Sequence, residues 1–68
     1  MSQKMYLREV DIRDWMDRNW TQYASQTYNG KRLRLEINNK GDFRVSHGNK
    51  ELYCGNQLSH ALAAWEAA

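Results

Sequence analysis

Cys54, His47 and His60 are the side chains of this 68-residue chain best suited to nucleophilic chemistry. A thiolate attacks, and an imidazole within hydrogen-bond reach takes its proton. Their placement argues against it. Alternation along the strand that holds Cys54 directs the thiol into the core, where a small apolar sulfur packs well. His60 falls on a helix face turned away from the sheet, and no third residue stands ready to orient either imidazole. One cysteine and two histidines at these spacings also match no zinc pattern. Gly41 and Gly48 are single turn glycines rather than a phosphate-cradling loop. The carboxylates are scattered, most beside a cation, so paired acid–base work has no support. The expectation is a protein that is not an enzyme and uses neither metal nor cofactor.

Binding chemistry is better represented. Arg32, Arg34 and Arg44, flanked by Lys31, Lys50 and Tyr53, form a basic sheet face suited to an anionic partner such as a nucleic-acid backbone. Glu36 and Glu51 sit among them and repel phosphate, and Glu36–Arg44 is expected as a cross-strand ion pair. A second candidate is the helix edge at Trp20, with Arg13 at a similar angle. Tryptophan and arginine are favoured interface residues. Three tryptophans and four tyrosines are generous for a core of this size.

The elements that position these residues follow from hydrophobic periodicity. Leu33, Leu35 and Ile37 alternate with Arg32, Arg34 and Glu36, and two tight-turn signals follow at Asn39-Lys40-Gly41 and Gly48-Asn49. Strands are therefore expected at about 31–38, 42–47 and 50–54, as an antiparallel meander with one wet face. The three-residue loop places Ile37 opposite Phe43 and Leu35 opposite Val45. The two-residue turn places Val45 opposite Leu52, Phe43 opposite Cys54 and Arg44 opposite Tyr53. Asn56 is expected to cap a helix over about 57–67, whose Leu58, Ala61, Leu62 and Trp65 form a stripe for the sheet. The outer strands of this meander carry Lys31 and Glu51, charges that discourage edge pairing.

The N-terminal third reads as a helix over about 11–25. Asp11 stands as its N-cap, Val10 is spaced to staple Trp15, and Ile12, Met16 and Tyr23 share an arc. Tyr28-Asn29-Gly30 then forms the turn into the sheet. Met5-Tyr6-Leu7 fits either a short strand or the approach to the helix. The fold class is α+β, one domain over residues 1–68: N-terminal helix, three-stranded antiparallel meander, C-terminal helix packed on the sheet.

Net charge is +2, and the surplus lies in residues 31–68, which hold six basic and four acidic side chains. Such a balance permits an anionic partner without demanding one. A single cysteine suits a reducing, cytoplasmic setting. Neither a signal peptide nor a run of ~20 apolar residues long enough for a membrane span is legible.

In its order of three strands and a helix, the C-terminal half resembles plant APETALA-type and integrase arm-type DNA-binding domains. That resemblance implies a nucleic-acid-binding regulator using the sheet face. The whole chain, small, without a catalytic motif and rich in surface aromatics and arginines, resembles the small accessory proteins of phages and prophages. This implies an inhibitor or modulator that binds a host protein, in the manner of anti-CRISPR-type inhibitors. Homodimerisation through the tryptophan-bearing helix is a further expectation.

Overall fold

The computed structural model describes residues 4–16, 22–38 and 40–68. The fold is α+β, with elements in the order α1 (Glu9–Met16), β1 (Gln22–Tyr28), β2 (Lys31–Ile37), β3 (Phe43–His47), β4 (Lys50–Gly55) and α2 (Leu58–Ala67). The strands form one antiparallel sheet in the order β1-β2-β3-β4. Among the described residues, no helix is long and apolar enough to cross a membrane.

The sheet has four strands where three are expected, because residues 22–28 form a strand and not the end of a long helix. Two signals outweigh the helical arc. From Ala24 to Tyr28 the chain alternates, with Ala24 buried beside core Leu35 while Ser25 and Thr27 stand opposite Arg34 and Arg32. Asn29 and Gly30 then both take positive φ, 52° and 79°. That pair of angles is the two-residue type I′ hairpin, for which Asn-Gly is the preferred dipeptide. The turn therefore joins strand to strand, and Tyr23 belongs to β1.

The shortened α1 also begins earlier than expected. Asp11 lies inside it rather than capping it. Arg8 supplies the carbonyl that accepts the Ile12 N–H at 3.2 Å, and its guanidinium grips Asp11 through two bonds of 2.8 and 3.0 Å. This grip holds the Asp11 carboxyl below its ordinary range, and it holds the Arg8 guanidinium above its own. Val10 remains 64% exposed, so it does not staple Trp15. Trp15 instead sets its ring edge-on to Tyr23 of β1, with centroids 5.2 Å apart.

The central register agrees with the sequence expectation. Ile37 pairs with Phe43 and Leu35 with Val45. The connecting loop is held by Asn38, whose Oδ1 accepts the N–H groups of Lys40 and Asp42 at 2.9 and 3.0 Å. Gly41 takes φ 86°, the left-handed position that only glycine occupies without strain.

Between β3 and β4 the expected register fails after two pairs. Ser46 faces Glu51 as expected, but Val45 then faces Tyr53 and Arg44 faces Cys54, because Leu52 is an extra residue on β4. A bulge of this kind sends every later side chain to the opposite face. The exchange is favourable: a tyrosine ring, not a thiol, goes under α2. Tyr53 Oη accepts the Gln57 N–H at 3.0 Å, and the ring stands edge-on to His60. That contact serves the start of α2 in place of the expected Asn56 cap. The N-cap position is Gln57, which makes no side-chain capping bond.

One face of the sheet is covered. Leu33, Leu35, Ile37, Phe43 and Val45 pack there against Leu58, Ala61 and Trp65 of α2, joined by Ile12 of α1 and Leu7. The segment before α1 is an irregular strap, which resolves the ambiguity at Met5-Tyr6-Leu7. Trp65 Nε1 donates to the Met5 carbonyl at 2.9 Å, and the Met5 N–H donates to Gln26 Oε1 at 2.6 Å. Lys4 reaches the carbonyls of Glu66 and Ala68, with its ammonium 5.0 Å from the Tyr28 ring centroid.

Candidate functional site

Among the described residues, no helix lies on the opposite face of the sheet. Its side chains follow from the alternation that buries Leu33, Leu35 and Val45. Ser25, Arg34, Ser46 and Glu51 lie in one row across the four strands. Glu36, Arg44 and Cys54 form a second row, and Thr27 and Arg32 begin a third. The face is therefore a lattice of three arginines and two glutamates spaced by hydroxyls.

The three arginines have different attachments. Arg44 pairs with Glu51, Nε to Oε1 at 3.3 Å, across the bulged strand pair. It does not pair with Glu36, although Glu36 is its register neighbour on β2. Glu51, opposite Ser46 in the expected register and the observed one alike, lies diagonal to Arg44, and the bulge replaces Tyr53 by Cys54 as the residue directly opposite. With both side chains more than half exposed, the pair contributes at most about 1 kcal/mol. Arg32 donates to Ser25 Oγ at 3.3 Å. Arg34, on an inner strand, has its Nε shielded from solvent with no hydrogen-bond partner, and the same holds for Oγ of its cross-strand neighbour Ser46. Ser46 is only 9% exposed, although it lies on the open face, because larger neighbours surround it. Unpartnered buried polar atoms cost free energy, about 1–3 kcal/mol each, until something hydrogen-bonds to them.

Three residues expected on this face lie elsewhere. Tyr53 is on the covered side, for the reason given above. Lys31 stands opposite Tyr28 and Lys50 opposite His47, so alternation places both on the covered side, at the hairpin end of the sheet. There, with Gly48 and Asn49, they line a shallow hollow of about 470 Å³. Among the described residues, the basic face thus rests on Arg32, Arg34 and Arg44.

The thiol and the two imidazoles are separated by the sheet. Cys54 is exposed on the open side. His47 Nε2 donates to the Tyr28 carbonyl at 2.7 Å, which fixes that proton on Nε2, and His60 meets Tyr53 beside α2. Cys54 instead borders a hollow of about 290 Å³ on the open face with Gln22, Glu36 and Arg44. Among the described residues, no three His, Cys, Asp or Glu side chains gather closely enough to hold a metal ion.

Compared with protein-family models, curated proteins and solved structures, the chain matches none.

Of the second candidate, Trp20 lies outside the described residues. Arg13 is exposed on α1 and reaches Glu9 one turn earlier, at 3.4 Å. Sequence reasoning missed the hydroxyl rows of β1 and the exposure of Cys54. The first was signalled by Asn29-Gly30. The second had no signal, because nothing in the residues of β4 announces a bulge at Leu52.

Proposed function

We propose that this is a non-catalytic binding protein, an inhibitor or modulator of the accessory-protein kind, that docks the open face of its sheet on a protein partner bearing carboxylates. One observation carries the reading. Both helices and the strap lie on one side of the sheet, while the other side presents Arg32, Arg34 and Arg44, with donors at its centre left unpaired. Arginine forks match carboxylates in a geometry that lysine cannot copy.

A protein fits this face better than a nucleic acid does. Among the described residues the face presents no aromatic ring on which a base could stack. Glu36 and Glu51 interrupt the arginines and oppose a continuous phosphate backbone. A protein surface can instead meet each charge singly, with carboxylates against Arg32 and Arg34 and a donor against Glu36. The separation of Cys54 from both histidines supports a role without nucleophilic catalysis.

The test is affinity capture from cells that make the protein, using the wild-type chain and an Arg34→Gln, Arg44→Gln double variant as baits after nuclease treatment. Both positions lie outside the core, so the variant's melting temperature should match the wild type's. The wild-type bait should retain a protein that the variant loses, with about 2 kcal/mol or more of binding removed if Arg34 is a hot spot. Equal retention by the two baits would remove the open face from the account. Loss of all capture on nuclease treatment would make nucleic acid the partner.

A further inference from the structure

The two edges of the sheet are built differently. β4 opens with Lys50 and Glu51 and is bulged at Leu52, devices that hold off a foreign strand. β1, with the sequence QYASQTY, has no charge, no glycine and no proline. Its one irregularity falls at its start, between Gln22 and Ala24, which leaves residues 24–28 regular. The strand of Lys31, expected as a charged outer strand, is an inner one, and the uncharged β1 takes its place at the edge.

The hairpin determines which main-chain groups this edge offers. A two-residue type I′ turn makes its flanking residues, Tyr28 and Lys31, a hydrogen-bonded pair. By antiparallel alternation Gln26 and Ala24 also bond to β2, while Ser25 and Thr27 turn their N–H and C=O groups outward. Near this strand lies Met5, one of three large apolar side chains exposed among the described residues. Met5, Tyr6 and Val10 are 47%, 79% and 64% exposed, and Met5 is tied to β1 through Gln26.

We propose that β1 pairs with β1 of a second copy, antiparallel about a twofold axis at Gln26, joining two four-stranded sheets into one. Self-complementarity selects a second copy as the occupant. With the axis at Gln26, Ser25 meets Thr27 of the partner subunit on the open face, and each such pair exchanges two main-chain hydrogen bonds through its outward groups. Ser–Thr cross-strand pairs add side-chain hydrogen bonding. On the covered face Ala24 meets the partner subunit's Tyr28, small against large. Every contact off the axis occurs twice, Gln26 meets its own counterpart on it, and no like charges oppose one another across the seam. The straps, with Met5 and Tyr6, flank the joined strands. Arg32 and Arg34 of each copy border the seam on the open face, so pairing doubles that surface. The proposal stands on the edge alone and does not depend on a partner docking on the face.

Light scattering and sedimentation of the full chain, from micromolar to millimolar concentration, test it. The wild type should approach twice the 8.1 kDa chain mass as concentration rises. Thr27→Pro removes an outward N–H that β2 does not use, a place where an edge strand accepts proline. That variant should dissociate, with self-association at least about tenfold weaker and the melting temperature at high dilution unchanged. Ser25→Glu combined with Thr27→Glu gives a second route. Its carboxylates face Arg34 and Arg32 within the chain but oppose one another across the seam, so it should also run as a monomer. A wild type that stays at single-chain mass throughout, or a dimer that survives both variants, overturns the proposal.

Discussion

Trp65→Ala should leave the chain largely unfolded at physiological temperature. Among the described residues Trp65 is the largest fully buried side chain, 1% exposed, and it sits on α2 against the sheet. Truncation to alanine at such a site removes about 3–5 kcal/mol through lost burial and the cavity left behind. It also removes the indole N–H that holds the Met5 carbonyl at 2.9 Å, so the strap loses its attachment to α2. A single core in a chain of this size rarely supplies more than ~3–5 kcal/mol in total. The change therefore consumes the whole margin. Circular dichroism should show no cooperative melt for Trp65→Ala. Trp65→Phe, which keeps most of the volume and loses the hydrogen bond, should retain a melt lowered by an amount near 1 kcal/mol of stability.

Leu35→Ala should be almost as damaging, for a different reason. Leu35 is fully buried at the centre of β2, with Ala24 on one side and Val45 on the other. Its neighbours are main-chain-bonded strands that cannot collapse into the space a leucine leaves. The expected loss is ~2–5 kcal/mol, toward the upper end because the site is rigid. Arg34→Ala, one residue away on the open face, should leave the melting temperature nearly unchanged. The contrast between adjacent positions tests the assignment of covered and open faces. Equal melting temperatures for the two variants would mean that the register of β2 is wrong.

The centre of this fold was legible because two independent constraints coincide there. Apolar residues alternate through Leu33, Leu35 and Ile37, and a loop ending in Gly41 permits one register that keeps Phe43 and Val45 on the same side. The flanks were not legible, and each failed for a physical reason. In residues 22–28 helical and strand periods compete over a short uncharged segment. The tertiary opportunity to pair with the free edge of β2 decided the outcome. The Asn29-Gly30 turn was the signal for it, outweighed by the arc of Ile12, Met16 and Tyr23. In β4 the alternation of Leu52 with Cys54 was sound as a pattern. The bulge overrode it because Tyr53 gains both burial and the Gln57 N–H beneath α2.

These two errors bear directly on the candidate site. The bulge exchanged Tyr53 for Cys54 on the open face, where Arg44 pairs with Glu51 and not with Glu36. The extra strand brought Ser25 and Thr27 alongside Arg34 and Arg32, which turned a three-strand basic stripe into a broader polar lattice. Arg32, Arg34 and Arg44 remained on that face throughout, because the alternation of β2 and the β2–β3 loop fix their direction.

Cys54 makes the central claim directly measurable, since the thiol is exposed at one corner of the open face. The measurement is the rate of alkylation of Cys54 in the free protein and in its complex with the captured partner. A parallel reporter, Ser59→Cys in a Cys54→Ser background, reads the exposed side of α2. If the open face docks the partner, Cys54 should be strongly protected in the complex while the reporter on α2 reacts as it does in the free protein. Unchanged reactivity of Cys54 together with protection of the α2 reporter would place the partner on the helical side and contradict the account.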